Sequence, residues 1–180
     1  MKWNDFEDNF NFCYHYNIDI LNDNNIIRPE QCGFRSKEEC ISLFISIWEI
    51  YFRSHFSIKD TYIAFLDLKK AYDTVPTYNI LNKIECLGIR DKYLKFIENL
   101  YLSSKACVKI GSQFSKTFHI KKGVRHGCPL SPILFNLFIN DIFRDYNKYG
   151  VSIGNSLCCG GLFADDILLC APTRGSLNKL

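Results

Sequence analysis

Residues 161–170 read Gly161-Leu162-Phe163-Ala164-Asp165-Asp166-Ile167-Leu168-Leu169-Cys170, and this stretch sets two adjacent carboxylates inside an apolar run. Without the aspartates, such a run is typical of buried β-strands. Two neighbouring negative charges in low-dielectric surroundings repel each other and lose hydration, so they favour a bound cation. Carboxylate oxygens are the ligands that Mg²⁺ prefers. The alternative is a solvated turn between two strands, because Asp is a common turn residue.

A second carboxylate, Asp67, interrupts the apolar, β-rich segment TYIAFLDL at residues 61–68. Apolar neighbours on both faces predict a buried strand with Asp67 at or near its carboxyl end. An aspartate there can instead be the N-cap of the following helix. Together with Asp165 and Asp166, however, it fits an arrangement in which carboxylates hold two metal ions about 4 Å apart, which clamp the attacking and leaving oxygens.

Four segments of the chain occur in a recognisable order: QCGFR (31–35), FLDLKKAYDTV (65–75), GVRHGCPLSP (123–132) and FADD (163–166). The last three resemble the palm motifs of reverse transcriptases. The first is similar to a fingers motif of the non-LTR (LINE-type) retrotransposon and group II intron enzymes. The resemblance extends from about Ile26 to Pro172, which is most of the chain.

The resemblance implies an α+β fold with an α/β-type palm, namely a right-hand polymerase palm with part of the fingers, in which an antiparallel sheet packs on helices. Residues from about 1 to 60 would be the fingers-like segment, and residues from about 61 to 180 the palm. The thumb that follows in the family has no counterpart in the sequence. We therefore expect a palm-centred piece of a longer element protein or a decayed copy.

The resemblance also assigns catalytic roles. Asp67 and Asp165 would ligate two Mg²⁺ ions, for which Mn²⁺ can substitute, with Asp166 at the same site and the backbone carbonyl of Leu68 completing the shell. The ions would activate the 3′-hydroxyl of a DNA primer for in-line attack on an incoming deoxynucleoside triphosphate, copied from an RNA template.

Further positions would contact the nucleotide or the nucleic acid. Tyr72 falls at the steric gate that excludes a ribose 2′-hydroxyl, although a core tyrosine is the alternative. His126 and Gly127 fall at nucleotide-binding positions. The residues expected to approach the template or primer are Gln31, Arg35, Gly123 and Arg125, and the glycines would allow the backbone to come close.

The second palm motif departs from the family at His126, where glutamine is the usual residue. Glutamine is a neutral amide that donates and accepts hydrogen bonds at once. A neutral histidine also does both, but on a rigid ring with a different reach, and it can become charged near pH 6.5. We expect reduced nucleotide incorporation or altered fidelity.

Charge is unevenly distributed although the formal net charge is only +3. Six acids fall within the first thirty residues, whereas none occurs between Asn99 and Asn140. The cations of that second stretch are Lys105, Lys109, Lys116, Lys121, Lys122 and Arg125. Such a stretch would attract a phosphate backbone. An ordinary solvated hairpin face explains the charge equally well.

Nine cysteines occur without a C-x-x-C or a Cys–His pair at zinc-finger spacing, which argues against a zinc module. Their odd number and the lack of a signal peptide favour a reduced, intracellular chain in the nucleus or cytoplasm. No run approaches the roughly eighteen apolar residues of a membrane span. A hydrophobic content of 47% indicates a globular chain and not a disordered one.

Hydrophobic periodicity predicts the elements around the motifs. We expect a helix over residues 5–20 and another from 36 to about 55, whose core face would be Ile41, Phe44, Ile45, Trp48 and Phe52. Further helices are predicted over 78–87, with Gly88 as the C-cap, over 91–102 and over 132–148. Hairpins are predicted over 106–120 and 157–171, the second with the aspartates at its turn.

Two functions follow, from different classes. The first is an RNA-directed DNA polymerase domain, and the second is a non-catalytic remnant that binds nucleic acid. The complete set of Asp67, Asp165 and Asp166 favours the first. His126 and the missing ends favour the second. A zinc-binding regulator is a weaker third.

Overall fold

The computed structural model describes residues 26–35, 40–57 and 59–180. In chain order its elements are α1 (Cys40–Ser57), β1 (Tyr62–Asp67), α2 (Ala71–Thr74), α3 (Thr77–Cys86), α4 (Asp91–Leu102), β2 (Lys105–Ala106), β3 (Lys109–Ile110), β4 (Gln113–Phe114), β5 (Phe118–His119), α5 (Leu130–Ile139), a 3₁₀ turn (Asn147–Tyr149), β6 (Val151–Ile153), β7 (Ser156–Cys158), β8 (Gly160–Phe163), β9 (Asp166–Ala171) and α6 (Arg174–Leu177). The helix predicted over residues 5–20 lies outside the described residues.

Two compact units divide the chain. Of the described residues, one unit comprises Lys70–Phe138, and the other comprises those from Ile26 to Lys69 together with Ile139–Leu180. We call the first the helical unit and the second the sheet unit, after their described elements. The mixture of helices and antiparallel sheet confirms the predicted α+β class.

The sheet unit is built on the antiparallel order β1-β9-β8. The central strand β9 is buried from Ile167 to Ala171, as its uninterrupted apolar sequence predicts. Gln31 extends this sheet past β8 through a bridge to Leu162, with backbone bonds of 2.7 and 2.8 Å on either side. The predicted hairpin with an aspartate turn is therefore confirmed.

The strand β1 was expected to be buried, and this expectation is wrong. Its side chains are mostly accessible, and Phe65 is 74% exposed. Among the described strands, β1 is at the edge of the sheet and pairs with β9. Apolar composition indicates a strand but does not distinguish an edge from the centre.

The core face predicted for α1 is also wrong. Phe44 and Trp48 are more than half exposed, whereas Ile50 is buried. The aromatic rings pack instead on one another along the helix, with centroids 6.1 Å apart for Phe44 and Trp48 and 4.9 Å apart for Trp48 and Phe52. Their four-residue spacing brings them together on one face without burying that face.

The helical unit has a core formed by α3, α4 and α5. Its fully buried members include Ile80 and Ile84 of α3, Ile97 of α4 and Leu130 of α5. The bounds of α3 and α4 agree with the predicted helices. Gly88 has a φ of 84° just after α3, and Ile89 N–H donates to Ile84 O across it, so the predicted glycine C-cap is confirmed.

Helix α5 is shorter than the helix predicted over 132–148. It ends at Ile139 and is followed by turns with i→i+3 bonds. Nζ of Lys83 donates to the carbonyl oxygens of Leu137 (2.9 Å) and Phe138 (2.7 Å), which takes up acceptors that a continuing helix would use. A lysine at a helix C-terminus also complements the helix dipole.

The predicted hairpin of residues 106–120 is present as two short paired segments, β2 with β5 and β3 with β4. Two elements were not predicted, the hairpin of β6 and β7 and the short helix α6. Among the helices of the described ranges, none combines the length and apolar character needed to cross a membrane.

Candidate active site

Asp67 and Asp166 are directly opposite each other in the sheet unit. Asp67 is the last residue of β1 and Asp166 is the first of β9, and the register pairs them. Directly opposed residues of antiparallel strands share a face, with Cβ atoms about 4.5–5.5 Å apart. Two carboxylates separated by about a hundred residues in sequence are therefore neighbours in space.

Asp165 lies in the two-residue turn between β8 and β9. Phe163 and Asp166 close the turn as a pair, and Ala164 has a φ of 55°, which is costly for a residue with a Cβ. Strain of this kind persists only where surrounding contacts hold it.

Gln31 supplies those contacts. Its Oε1 accepts from the backbone N–H of Gly33 (2.8 Å) and of Ala164 (3.3 Å), and its Nε2 donates to Ala164 O (3.5 Å). A Cβ at Gly33 would overlap the backbone nitrogen of Ala164, so the glycine lets the two segments approach. The QCGFR segment thus holds the turn that carries Asp165.

Gln31 is engaged within the protein itself. It is 1% exposed and its amide is hydrogen-bonded to the turn, while its approach to a template stays a prediction. Arg35 is also partly engaged, because its Nη1 donates to the carbonyl oxygens of Arg28 (3.3 Å) and Gln31 (3.2 Å). No local sequence pattern indicates these contacts, since Gln31 and Ala164 are 133 residues apart.

The carboxylates fit a divalent metal by donor chemistry. None of the side chains of Asp67, Asp165 and Asp166 makes a hydrogen bond or ion pair with another residue of the described part. Like charges directly opposite each other in a sheet repel, which is destabilising. A hard divalent cation bound between them makes the electrostatic energy of the group favourable. Desolvation is a weaker reason than the sequence indicated, because Asp166 is exposed and Asp165 half-buried.

A ready-made metal cluster is not present within the described ranges, where no three His, Cys, Asp or Glu side chains are grouped to hold an ion. Asp67 and Asp166 line a cavity of about 460 Å³ between α1 and the sheet. Its lining includes Asp67, Asp166, Leu43, Phe44, Phe65 and Ile167. Asp67 and Asp166 therefore lie at the edge of a largely apolar cavity that is open to solvent.

In the helical unit, Tyr72 has a defined platform. Its ring stacks on the buried Phe135, with centroids 4.7 Å apart and planes at 14°. The His126 ring lies 6.1 Å from it at 36°. Nε2 of His126 lies 2.8 Å from Oδ1 of Asp73, the residue that follows Tyr72. Sequence reasoning missed Asp73, because nothing local indicates a partner 53 residues away.

The segment around Gly123 is tied to the chain beside Tyr72. Gly123 N–H donates to Val75 O and Val124 N–H donates to Tyr72 O, both at 2.8 Å. Gly123 has a φ of 95°, and a Cβ there would lie 3.0 Å from backbone atoms of Tyr72 and Asp73. The close approach that requires this glycine is thus to the protein backbone. The predicted approach of Gly123 to the template or primer stays a prediction.

The following loop is fixed by Ser131. Its Oγ donates to Arg125 O (2.6 Å) and lies 3.3 Å from the hydroxyl of Tyr101. Burial raises the pKa of Tyr101, although its hydrogen bond to Ser131 opposes that shift. The side chains of Arg125 and His126 remain exposed, as does Gly127, so this loop can meet a ligand.

Comparison with known proteins decides the family. The model of the reverse transcriptase (RNA-dependent DNA polymerase) family matches residues 15–180. The chain belongs to the reverse transcriptase family. Reverse transcriptases generally use divalent metal ions.

Two curated relatives come from retrotransposable elements. The Pol polyprotein of the type-2 element R2DM of Drosophila melanogaster is 31% identical over 84% of this chain. That of the type-1 element R2 of Nasonia vitripennis is 34% identical over 67% of this chain. The chain spans 14% and 12% of these relatives, respectively. They confirm the predicted resemblance to a non-LTR retrotransposon reverse transcriptase, as a partial domain.

Solved structures agree on the fold. Telomerase from Candida tropicalis in complex with a fragment of telomeric RNA superposes with a TM-score of 0.65 at 15% identity, covering 94% of this chain and 29% of that one. Apo telomerase from the same organism, truncated from the C-terminal domain, gives 0.62 at 16%, covering 94% of this chain and 35% of that one. These matches confirm the polymerase palm-and-fingers architecture.

Proposed function

We propose that this chain carries the catalytic centre of an RNA-directed DNA polymerase of a retrotransposon, which extends a DNA primer on an RNA template with deoxynucleoside triphosphates. The observation that carries the proposal is the register of Asp67 opposite Asp166, next to Asp165 in a turn that Gln31 holds. Membership of the reverse transcriptase family supports it.

Asp67, Asp165 and Asp166 would hold two Mg²⁺ ions, with the backbone carbonyl of Leu68 as a further ligand and Mn²⁺ as a substitute. When bound, such ions supply charge stabilisation for the attacking and leaving oxygens of nucleotidyl transfer. Gln31 contributes by fixing the backbone of the turn, because small misplacements of a catalytic group cost rate. The exposure of Asp166 leaves room for substrate oxygens.

Tyr72 and the loop of His126 would serve the incoming nucleotide. The Tyr72 ring is held by Phe135, so it is rigid enough to exclude a ribose 2′-hydroxyl by contact. His126 and Gly127 would line the nucleotide, and Gly127, with a φ of 77°, leaves its side of the loop open. Arg125 and Arg35 would contact phosphates of the template or primer.

Primer extension tests the proposal. A DNA primer on an RNA template is incubated with the chain in Mg²⁺ and separately in Mn²⁺, and Asp166→Asn is compared with Asp145→Asn, an exposed aspartate of the same unit. We expect extension by the original chain and by Asp145→Asn, and none by Asp166→Asn. Equal extension by both variants would refute the assigned centre.

One observation favours a second function, a nucleic-acid-binding module without catalysis. Within the described ranges, the carboxylates are not gathered into a three-ligand metal group. In that case the chain would bind an RNA–DNA hybrid with the same affinity in Mg²⁺ and in EDTA, and no variant at His126 would restore extension. Extension by the original chain in either metal rules this second function out.

We also propose that the chain acts inside the cell, in the nucleus or the cytoplasm. The described cysteines are all free thiols, as is usual in a reducing compartment.

A further inference from the structure

The hairpin of residues 105–119 in the helical unit carries a surface that the proposed catalytic centre does not use. Lys105 pairs with His119, and Lys109 pairs with Phe114. Directly opposed residues share a face of the hairpin. Each of these pairs therefore sets a basic side chain beside a ring, and Nζ of Lys109 lies 5.5 Å from the centre of the Phe114 ring.

The cations of this region lack anionic partners. No acid occurs between Asn99 and Asn140, and in the described part of the chain none of the six cations forms a salt bridge. Elsewhere on the surface, arginines do pair with acids, as Arg53 does with Glu49 and Arg144 with Asp141. A group of unpaired charges of one sign produces a positive potential that attracts a polyanion.

Exposed rings accompany the charge. Residues 107–122 are exposed throughout, and Phe114 and Phe118 are 64% and 50% exposed. A cationic surface with accessible aromatic rings is the combination on which unpaired bases stack while lysines meet the phosphates. A duplex hides the faces of its bases, so the rings favour a single strand.

The positive surface continues to the root of the hairpin. A pocket of about 340 Å³ lies there, lined by Phe96, Asn99, Leu100, Ser103, Ser104, Lys105 and Arg125. Lys105 therefore belongs both to the hairpin and to the pocket, and Arg125 extends the same charge towards the loop of His126.

We propose that this hairpin binds a single strand of nucleic acid, with Lys105, Lys109 and Lys116 on phosphates and Phe114 against a base. The choice of nucleic acid as the partner rests on the proposed function, but the binding itself requires no catalysis. Lys105 lies in β2 and Lys109 in β3, four residues further on, and a fully extended backbone of that length spans about 13 Å. They would thus meet phosphates of different nucleotides.

Fluorescence anisotropy tests the proposal with a labelled single-stranded RNA of about 20 nucleotides, without divalent cation or nucleotide, at a series of KCl concentrations. The triple variant Lys105→Gln, Lys109→Gln, Lys116→Gln is compared with a control of equal charge, Lys59→Gln, Lys92→Gln, Lys95→Gln. The control residues are exposed and lie outside the hairpin. Circular dichroism verifies that both variants are folded.

We expect the hairpin variant to bind more weakly and to lower the slope of log K against log[KCl] by about 2, because each phosphate contact on a single strand contributes about 0.7. The control should retain most of the original slope. Equal losses in the two variants would show that only net charge matters, and would overturn the proposal. An unchanged slope in the hairpin variant would overturn it as well.

Phe114→Leu separates stacking from charge. It should weaken binding at least about fivefold, the lower end of the range for one stacked base, while leaving the salt slope unchanged. Tighter binding to an RNA duplex than to the single strand would refute the single-strand assignment. No salt-dependent RNA binding by the original chain would also refute it, and would leave an acidic protein surface as the partner.

The two proposals fail separately. If the original chain binds RNA through the hairpin but does not extend a primer, the proposed function fails and the inference stands. If it extends a primer while the hairpin variant binds RNA as tightly as the original, only the inference fails.

Discussion

Nε2 of His126 lies 2.8 Å from Oδ1 of Asp73 in the helical unit. A carboxylate only accepts hydrogen bonds, so a neutral His126 in this pair carries its proton on Nε2 and leaves Nδ1 as an acceptor. The family's usual glutamine would offer a donor and an acceptor at once. Asp73 therefore limits what His126 can present to a nucleotide.

Replacing this histidine is the first prediction. His126→Gln should raise the efficiency of deoxynucleotide incorporation about threefold to tenfold, which corresponds to one hydrogen bond of about 0.5–1.5 kcal/mol. Single-nucleotide primer extension gives kcat/KM for the comparison. A variant no faster than the original chain would show that the histidine is a full substitute for glutamine.

Asp73→Asn provides the control for that prediction. It should change kcat/KM in the original chain, because an amide that can also donate replaces the anionic acceptor that orients the ring. In the His126→Gln background it should have little effect. Equal effects in the two backgrounds would mean that Asp73 acts without His126.

Tyr72 gives the second prediction. Tyr72→Val should raise ribonucleotide incorporation relative to deoxyribonucleotide at least about tenfold, because it removes the ring that would block a 2′-hydroxyl. It should also lower stability by about 0.5–1.5 kcal/mol for the lost ring pair with Phe135, beyond the loss of burial. Competitive incorporation and denaturant unfolding measure the two effects.

Tyr72→Phe is the matched variant, since its ring can keep the stack on Phe135. It should discriminate between the sugars nearly as well as the original chain. If it lost discrimination as fully as Tyr72→Val, the hydroxyl and not the ring would be the gate.

Sequence patterns within a few residues correctly predicted features that depend on neighbouring residues, namely a turn and a helix end. The turn at Asp165 follows from two aspartates between apolar runs, and the glycine after α3 ends that helix through its own backbone. The family resemblance implies that Asp67 shares a site with Asp165 and Asp166, and the register of β1 and β9 agrees with this. No composition rule alone would have paired strands so far apart.

The failures share a cause, which is that tertiary partners decide burial. Periodicity found the aromatic stripe of α1, but the helix turns Ile50 and not Trp48 inward. The family resemblance implies that Gln31 approaches the template or nucleotide, and no local pattern shows that its amide is hydrogen-bonded to Ala164, 133 residues away. Lys83 similarly ends α5 from another helix, which no window of sequence shows.

Gln31 gives the third prediction. Gln31→Ala should lower the free energy of unfolding by about 1–3 kcal/mol, because the buried N–H groups of Gly33 and Ala164 lose their acceptor. Primer extension should fall more than stability alone explains, since the turn of Asp165 loosens. Urea unfolding and extension at low temperature measure both. Asn155→Ala, at an exposed turn of the same unit, should change neither.

The cysteines at the far end of β8 and β9 give the fourth prediction. A hydrogen bond from Cys170 lowers the pKa of Cys158 to about 7, whereas burial raises the pKa of Cys159 to about 12. At neutral pH a larger fraction of Cys158 than of Cys159 is therefore thiolate. Iodoacetamide should label Cys158 before Cys159, at a rate that rises with pH through neutrality, as peptide mass spectrometry can follow.

Cys170→Ser tests the cause of that reactivity. A hydroxyl is a different donor from a thiol, so the labelling rate of Cys158 at neutral pH should change. Labelling of Cys159 as fast as Cys158 in the folded chain would contradict the assignment. Denaturant should remove the difference, because both thiols then have ordinary surroundings.

Asp67 gives the last prediction, in which stability and activity change in opposite directions. Without metal, the like charges of Asp67 and Asp166 lie opposite each other and repel. Asp67→Asn should therefore stabilise the fold by a few tenths of a kcal/mol. The effect is small because both groups are solvated. Added Mg²⁺ should raise the unfolding temperature of the original chain and of Asp145→Asn, since binding to the folded state stabilises it. Asp67→Asn should lose that rise together with primer extension. Calorimetry with and without Mg²⁺ measures these unfolding temperatures. If Asp67→Asn is less stable than the original chain and its unfolding temperature still rises with Mg²⁺, the pair of Asp67 and Asp166 does not hold the metal.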